Sequence, residues 1–268
     1  MNSYVKQASS NQDFAFSGKS NNGEFDYIGV ADGHGKVLNA KYPTNILKQL
    51  NFNEFLQNDT YFEEIMEKTN IKESHGVGST LCVCRIFPDK FEFSWVGDST
   101  GKLYKDDKCI WKTNDHDIYN KEEEQRLIDN HVEIKTDGIF DIKVKNPTTI
   151  MSIPSKLFCF SINDRLNMTH ALGHVGITGS HISRKIIPRE ECVSYKVVCA
   201  TDGLWSMVCD EDDKFIGDVN ESSEKIATFA FDRWLKKWKH EYEGRIINTS
   251  ATFPLSNIDD IGVSIWSC

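Results

Sequence analysis

Three segments of this chain place an aspartate at an end of an apolar run: Val30-Ala31-Asp32-Gly33-His34-Gly35, Cys199-Ala200-Thr201-Asp202-Gly203 and Asp259-Asp260-Ile261-Gly262-Val263. Asn11-Gln12-Asp13-Phe14 adds a fourth aspartate near the N-terminus. Carboxylates at strand ends are partly withdrawn from water, and several together repel, so such a site raises their pKa values and takes up protons. A divalent cation resolves the conflict, because magnesium and manganese prefer oxygen ligands. Glycine after Asp32 and Asp202 lets the backbone turn tightly and lets a carbonyl approach an ion. Two ions roughly 3.5–4 Å apart can clamp a phosphoryl group and activate a water. Taken singly, each Asp-Gly pair is more often a turn than a ligand set. Asp259-Asp260 alone reads equally as a strand entry with solvated acids, and His34 alone as a surface histidine. It is their joint occurrence that points to metal-dependent phosphate-ester chemistry.

The elements that must position these groups follow from periodicity. A strand over Phe25–Ala31 runs straight into Asp32, and Val197–Thr201 is a buried strand that ends at Asp202. Residues 43–71 read as helix in two pieces, broken near Asn51–Asn53. Ser79–Phe87 is a continuous apolar run, and Phe91, Phe93 and Trp95 alternate with polar residues, so the pair forms a hairpin about Pro88-Asp89-Lys90. Lys102–Lys105 and Cys109–Lys112 read as short strands around Asp106-Asp107. Asn120 with Glu123 has capping-box spacing and predicts a helix over 121–129. Thr149–Ile153 and Lys156–Ser161 read as another hairpin. Ser222–Lys239 reads as one amphipathic helix with Ile226, Ala230, Trp234 and Trp238 on a stripe. Ile261–Trp266 is the last strand. Hairpins beside separate helices predict an α+β fold of antiparallel sheets with helices packed outside.

The chain has 268 residues, a length that suits one domain with its own core. A net charge of −9 argues against nucleic acid, whose phosphates are bound by basic stripes. It leaves a phosphorylated substrate open, since metal ions invert the local field. No apolar run is long enough to span a bilayer and no secretory segment opens the sequence. The eight cysteines include no CxxC pair and read as reduced thiols of a cytoplasmic or nuclear protein. Nothing signals an oligomer, so a monomer is expected.

In order, these segments resemble the metal-dependent, type 2C serine/threonine protein phosphatases. Asn11-Gln12-Asp13, Asp32-Gly33-His34-Gly35, Gly78-Ser79-Thr80, Trp95-Val96-Gly97-Asp98-Ser99, Asp115-His116, Ala171-Leu172-Gly173, Thr201-Asp202-Gly203-Leu204-Trp205 and Asp259-Asp260-Ile261-Gly262-Val263 follow that family's motifs collinearly. The resemblance implies a single domain over residues 1–268, a four-layer αββα sandwich of two antiparallel sheets flanked by helices. It implies a phosphorylated protein as substrate and two Mn²⁺ or Mg²⁺ ions, with a weaker third. By carry-over, Asp32, Asp202 and Asp259 would hold one ion. Asp32 and the Gly33 carbonyl would hold the second, with Asp13 acting through water, and Asp115 would serve the third. His34 would be the general acid, and the nucleophile a hydroxide between the ions. The family's phosphate-binding arginine falls on Ala8, which leaves Lys6 as the candidate cation, and the acid after DGLW is Ser206. These departures define the alternative: a weak or inactive phosphatase-fold binding module. A zinc site from His170, His174 and His181, the first two at helical i, i+4 spacing, is the third reading.

Overall fold

The computed structural model describes residues 1–8, 11–35, 43–70, 76–136, 140–159 and 165–268. Two five-stranded antiparallel sheets organise it. The first runs β1 (Asn2–Lys6), β20 (Ile261–Ser267), β17 (Tyr195–Ala200), β8 (Thr100–Lys105), β9 (Lys108–Lys112). The second runs β16 (Ser183–Pro188), β7 (Lys90–Val96), β6 (Leu81–Ile86), β3 (Asp26–Ala31), β2 (Phe14–Lys19). Three smaller sheets are β15 (Leu172–Gly173), β5 (Val77–Ser79) and β4 (Gly33–Gly35); β10 (Ile134–Lys135), β13 (Leu157–Cys159) and β14 (Arg165–Leu166); and β11 (Phe140–Asn146), β12 (Thr149–Pro154), β18 (Trp238–Tyr242) and β19 (Arg245–Ala251). Seven α-helices are described: α1 (Pro43–Lys48), α2 (Phe52–Phe55), α3 (Tyr61–Thr69), α4 (Lys121–Asp129), α5 (Asp202–Trp205), α6 (Asp213–Gly217) and α7 (Ser223–Leu235). None is long and apolar enough to cross a membrane.

Alternating residues of each large sheet feed different cores, which is why its strands read as nearly continuous apolar runs. Ile28, Val30, Cys82, Cys84, Phe91, Phe93, Val197 and Cys199 meet in one cluster, contributed by both sheets. Val198, Ala200, Val263 and Ile265 turn the other way and pack with Leu204, Ile216, Ile226, Ala230 and Trp234 of α5, α6 and α7. Phe16, Tyr27, Leu81 and Val83 pack with Leu47, Phe52, Phe62 and Ile65 of α1, α2 and α3. Helices thus cover the outer face of each sheet. Cys82, Cys84 and Cys199 are buried free thiols, as the cysteine pattern implied.

Four expectations need correction. The helical stretch is three pieces rather than two, broken again at residues 56–60; its residue 71 lies outside the described residues. Asn120 does cap α4, but through the Glu122 N–H. Glu123 turns inward instead of closing a capping box: its Oε2 accepts from Thr169 Oγ1 at 2.7 Å and Arg126 Nη2 at 2.9 Å. Strands β12 and β13 are not a hairpin. β12 pairs with β11 on one side and, in parallel, with β18 on the other, while β13 pairs with β10 and β14; residues 160–161 of that expectation lie outside the described residues. The helix expected to reach residue 239 stops at Leu235, because Lys236 adopts an extended backbone. Trp238 is buried as its stripe required, but from β18, with its Nε1 donating to the Arg233 carbonyl at 2.9 Å. A buried tryptophan satisfies a helical stripe and a strand equally, so periodicity alone could not separate them.

Arg233 anchors α7 to the segment that follows α5. Its guanidinium forks onto buried Asp212, with Nη2 to Oδ1 at 2.7 Å, and Nη1 also donates to the Met207 carbonyl at 2.8 Å. Removing one partner of such a pair strands the other charge in the core. Asp212→Ala is expected to destabilise the fold by about 3–5 kcal/mol. Urea unfolding measures this, and a loss below about 1 kcal/mol, the range of an exposed pair, would refute the anchoring role.

Candidate active site

Antiparallel register gathers the acidic residues on one edge. Ala200 pairs with Val263 and with Thr100, which sets Asp202 after β17 beside Asp259 before β20 and Asp98 before β8. In the other sheet Phe14 pairs with Ala31, which sets Asp13 beside Asp32. Hydrogen bonds fix this edge. The Asp32 N–H donates to Thr80 Oγ1 at 2.9 Å, and the Thr80 N–H returns to the Asp32 carbonyl at 2.8 Å. Thr201 Oγ1 donates to Asp13 Oδ2 at 2.7 Å while accepting from the Gly262 N–H at 2.9 Å. Gly203 permits the closest approach: a Cβ there would lie 1.9 Å from the Asp260 carbonyl oxygen. At Gly33, in β4, a Cβ would lie 2.6 Å from Thr44 Oγ1 and 3.1 Å from the Gln12 carbonyl oxygen.

The electrostatics are those of carboxylates crowded out of water. Burial, then the charge of Asp32, raises the Asp13 pKa well above the ordinary value. Burial, then Asp202, Asp259 and Asp98, does the same for Asp32. Burial and Asp98 push Asp202 to about 6, and burial and Asp202 push Asp259 to about 7. Asp98 is raised by burial as well. Asp115 rises to about 8 through burial, although Thr100 Oγ1 donates to its Oδ1 at 2.8 Å. His34 Nε2 lies 3.4 Å from Asp32 Oδ2, so the imidazole borders the cluster.

Of the residues singled out in the sequence, Asp13, Asp32, Asp202 and Asp259 therefore come together, with Gly33 and His34 at their margin. Asp115 joins through Asp98, whose charge raises it. Lys6 does not join. It ends β1 with its ammonium 4.9 Å from the centre of the Phe231 ring of α7, because alternation along the strand turns it toward the helix, on the same side as Tyr4. The three histidines do not form a helical metal site either. His170 Nδ1 accepts from the His181 N–H at 3.1 Å and its Nε2 faces Glu123 Oε2 at 3.1 Å, while β15 occupies residues 172–173.

Two residues were missed as members of the site. Asp98 is one, although Val96-Gly97-Asp98 repeats the strand-end design and could have been read from it. Asp260 is the other: fully buried, it accepts from the Ala8 N–H at 2.6 Å and the Gln12 N–H at 2.8 Å, and so holds the segment leading to Asp13. Its partners are main-chain groups about 250 positions away, which leave no trace in side-chain pattern.

The donor set fits divalent cations. Asp98 Oδ1 and Asp202 Oδ1 are buried with no hydrogen-bond partner among the described residues, an arrangement a cation satisfies and a hydroxyl or amide here does not. Among the described residues no three His, Cys, Asp or Glu side chains already stand close enough to hold an ion on their own. Carbonyl and water ligands would share the coordination, as magnesium prefers.

The Protein phosphatase 2C family profile matches residues 4–232. The chain belongs to this family. Solved structures share the fold at low identity. A C. elegans sex determining protein superposes with a TM-score of 0.65 at 17% identity, covering 98% of this chain and 64% of that one. Serine-threonine phosphatase 2C from Toxoplasma gondii gives 0.62 at 12%, covering 98% and 93%. The S. agalactiae serine/threonine phosphatase gives 0.57 at 18%, covering 98% of each chain. No curated protein matches the sequence.

In this phosphatase 2C chain the raised carboxyl pKa values link stability to pH. An unfolded aspartate titrates near about 3.9, so the native state holds more protons from there upward. The stability these groups contribute is present at low pH. It is lost as pH rises through about 6 for Asp202, 7 for Asp259 and 8 for Asp115. The chelated protein should therefore melt lower at about pH 8 than at about pH 6. Manganese at about 100 times its Kd should restore about 2.7 kcal/mol. Scanning calorimetry checks both; equal melting at the two pH values, or no response to manganese, contradicts the assignment.

Proposed function

We propose that this chain is one protein phosphatase domain that hydrolyses phosphoserine and phosphothreonine in proteins with two Mn²⁺ or Mg²⁺ ions. The observation that carries the reading is the convergence of Asp13, Asp32, Asp98, Asp202 and Asp259 from strand ends of both large sheets, with each pKa raised and His34 3.4 Å from Asp32. Asp32, Asp202 and Asp259 would hold one ion, and Asp32 with the Gly33 carbonyl the second, Asp13 acting through water. Asp115 would serve a weaker third. Bound ions would supply positive charge against the phosphoryl oxygens and acidify a water.

The chain's own groups do the rest. Thr80 and Thr201 hold Asp32 and Asp13 in place, and Asp260 fixes the strand entry beside them. Asp32 orients the His34 ring through Nε2. In the reaction a water oxygen bonds to phosphorus and the bond from phosphorus to the serine or threonine oxygen breaks. His34, when protonated, supplies the proton that the departing oxygen needs. The alternative, an inactive binding module, draws on Ala8 and Ser206; the retained carboxylates speak against it.

Phosphate release from a phosphothreonine peptide should require manganese and fall to background in Asp202→Asn. His34→Ala should slow the peptide by about 10²–10⁴-fold but slow p-nitrophenyl phosphate far less, because nitrophenolate departs without a proton. Steady-state kinetics on both substrates decide it: undiminished turnover in Asp202→Asn sinks the metal assignment, and equal losses on the two substrates sink the acid role.

A further inference from the structure

A cleft of about 790 Å³ opens from the acidic edge. Asp98, Asp115, Asp202 and Asp259 are among its lining residues. Two other parts of the chain also line it: β11 with Ile150 of β12, and the segment after β19, where Phe253 and Pro254 stand. Five successive residues of β11, from Phe140 to Val144, line it together. Neighbouring residues of a strand point to opposite faces. A run of five lines one cleft where the strand presents its edge as well as the face it shares with Ile150 of β12 and His240 of β18.

That edge is open. β11 is the first strand of its sheet and pairs only with β12, and among the described residues no strand lies on its other side. An unpaired edge carries main-chain donors and acceptors at the spacing an extended polypeptide matches. Side chains offer contacts to both faces of such a polypeptide. Phe140 is 41% exposed at the rim, and Ile142 and Val144 pack toward the core on one side of the strand. Lys143 lies over the Tyr119 ring on the other, where Tyr119 also donates to Asp141. Asp141, Lys143 and Lys145 place charges on this strand, the usual defence against pairing with a second copy. Because Asp98, Asp202 and Asp259 line the same cleft as β11, the occupant is the substrate.

We propose that the free edge of β11 binds the substrate polypeptide as an added β-strand, presenting its phosphoserine or phosphothreonine to the acidic edge. The proposal rests on the phosphatase reading above. It makes recognition depend chiefly on an extended backbone, with side-chain selectivity from Phe140 and Phe253.

The first test leaves the protein untouched and alters the peptide. A phosphothreonine peptide is N-methylated at one residue at a time, which removes single main-chain donors. An added strand bonds through every second residue. Methylation should therefore weaken binding in an alternating pattern, about tenfold at each bonded position and little between them. Fluorescence anisotropy with manganese present reads binding without turnover, and kcat/KM on the same peptides should follow it through KM. Phe140→Ala should weaken the parent peptide several-fold while leaving p-nitrophenyl phosphate hydrolysis unchanged. A response without alternation, whether tolerance or loss at every position, overturns the proposal, as does an unaffected Phe140→Ala. Absence of any phosphate release from either substrate is the separate failure of the phosphatase reading, and the anisotropy pattern still decides the strand edge.

Discussion

Burying Asp13, Asp32, Asp98, Asp202 and Asp259 within electrostatic reach of one another sets mutual repulsion and lost hydration against the fold. Everything around the site manages that cost. Protons offset it at low pH. A binding centre made this way is held under tension by the scaffold: the two sheets bring charges together that would separate if the strands were free to do so.

The scaffold meets this load with hydrogen bonds that run between distant parts of the chain. Thr80 fixes the end of β3, and Thr201 ties Asp13 to Gly262 through one hydroxyl. Asp260 is the companion device. It is a fully buried acid that accepts two main-chain N–H groups, beside Asp259, whose pKa is raised to about 7. Two adjacent aspartates thus have opposite duties. Main-chain donors satisfy one, while like charges crowd the other and raise its pKa. The approach of Gly203 to the Asp260 carbonyl locks β20 against α5 at the same spot.

The small mixed sheet gives the cleft its second wall. β11 and β12 come from the middle of the chain and β18 and β19 from the segment between α7 and β20; their parallel β12–β18 pairing joins them. Arg233 supports this wall indirectly, since it fixes α7 to Asp212 and receives Trp238 Nε1 on its carbonyl. Acidic residues and β11, the edge strand of that sheet, line one cleft.

The sequence by itself determined the strands that deliver the acids, because an apolar run ending in Asp-Gly is a local pattern that burial on both faces writes into every residue. It also determined the family likeness and the identity of Asp13, Asp32, Asp202 and Asp259 as candidates. It could not decide where a partner strand lies. Its pattern pairs β12 with its successor rather than with β11 and β18 and puts Trp238 on a helix, because hydrophobic period records burial and not the neighbour that provides it. Lys6 shows the same limit: its charge suggested a phosphate contact, and strand parity turned it onto Phe231 instead. Asp260 and the open edge of β11 were decided only by tertiary structure. Main-chain donors are identical at every residue, so which of them meet a carboxylate, and which remain free to meet a ligand, depends on the register between distant segments.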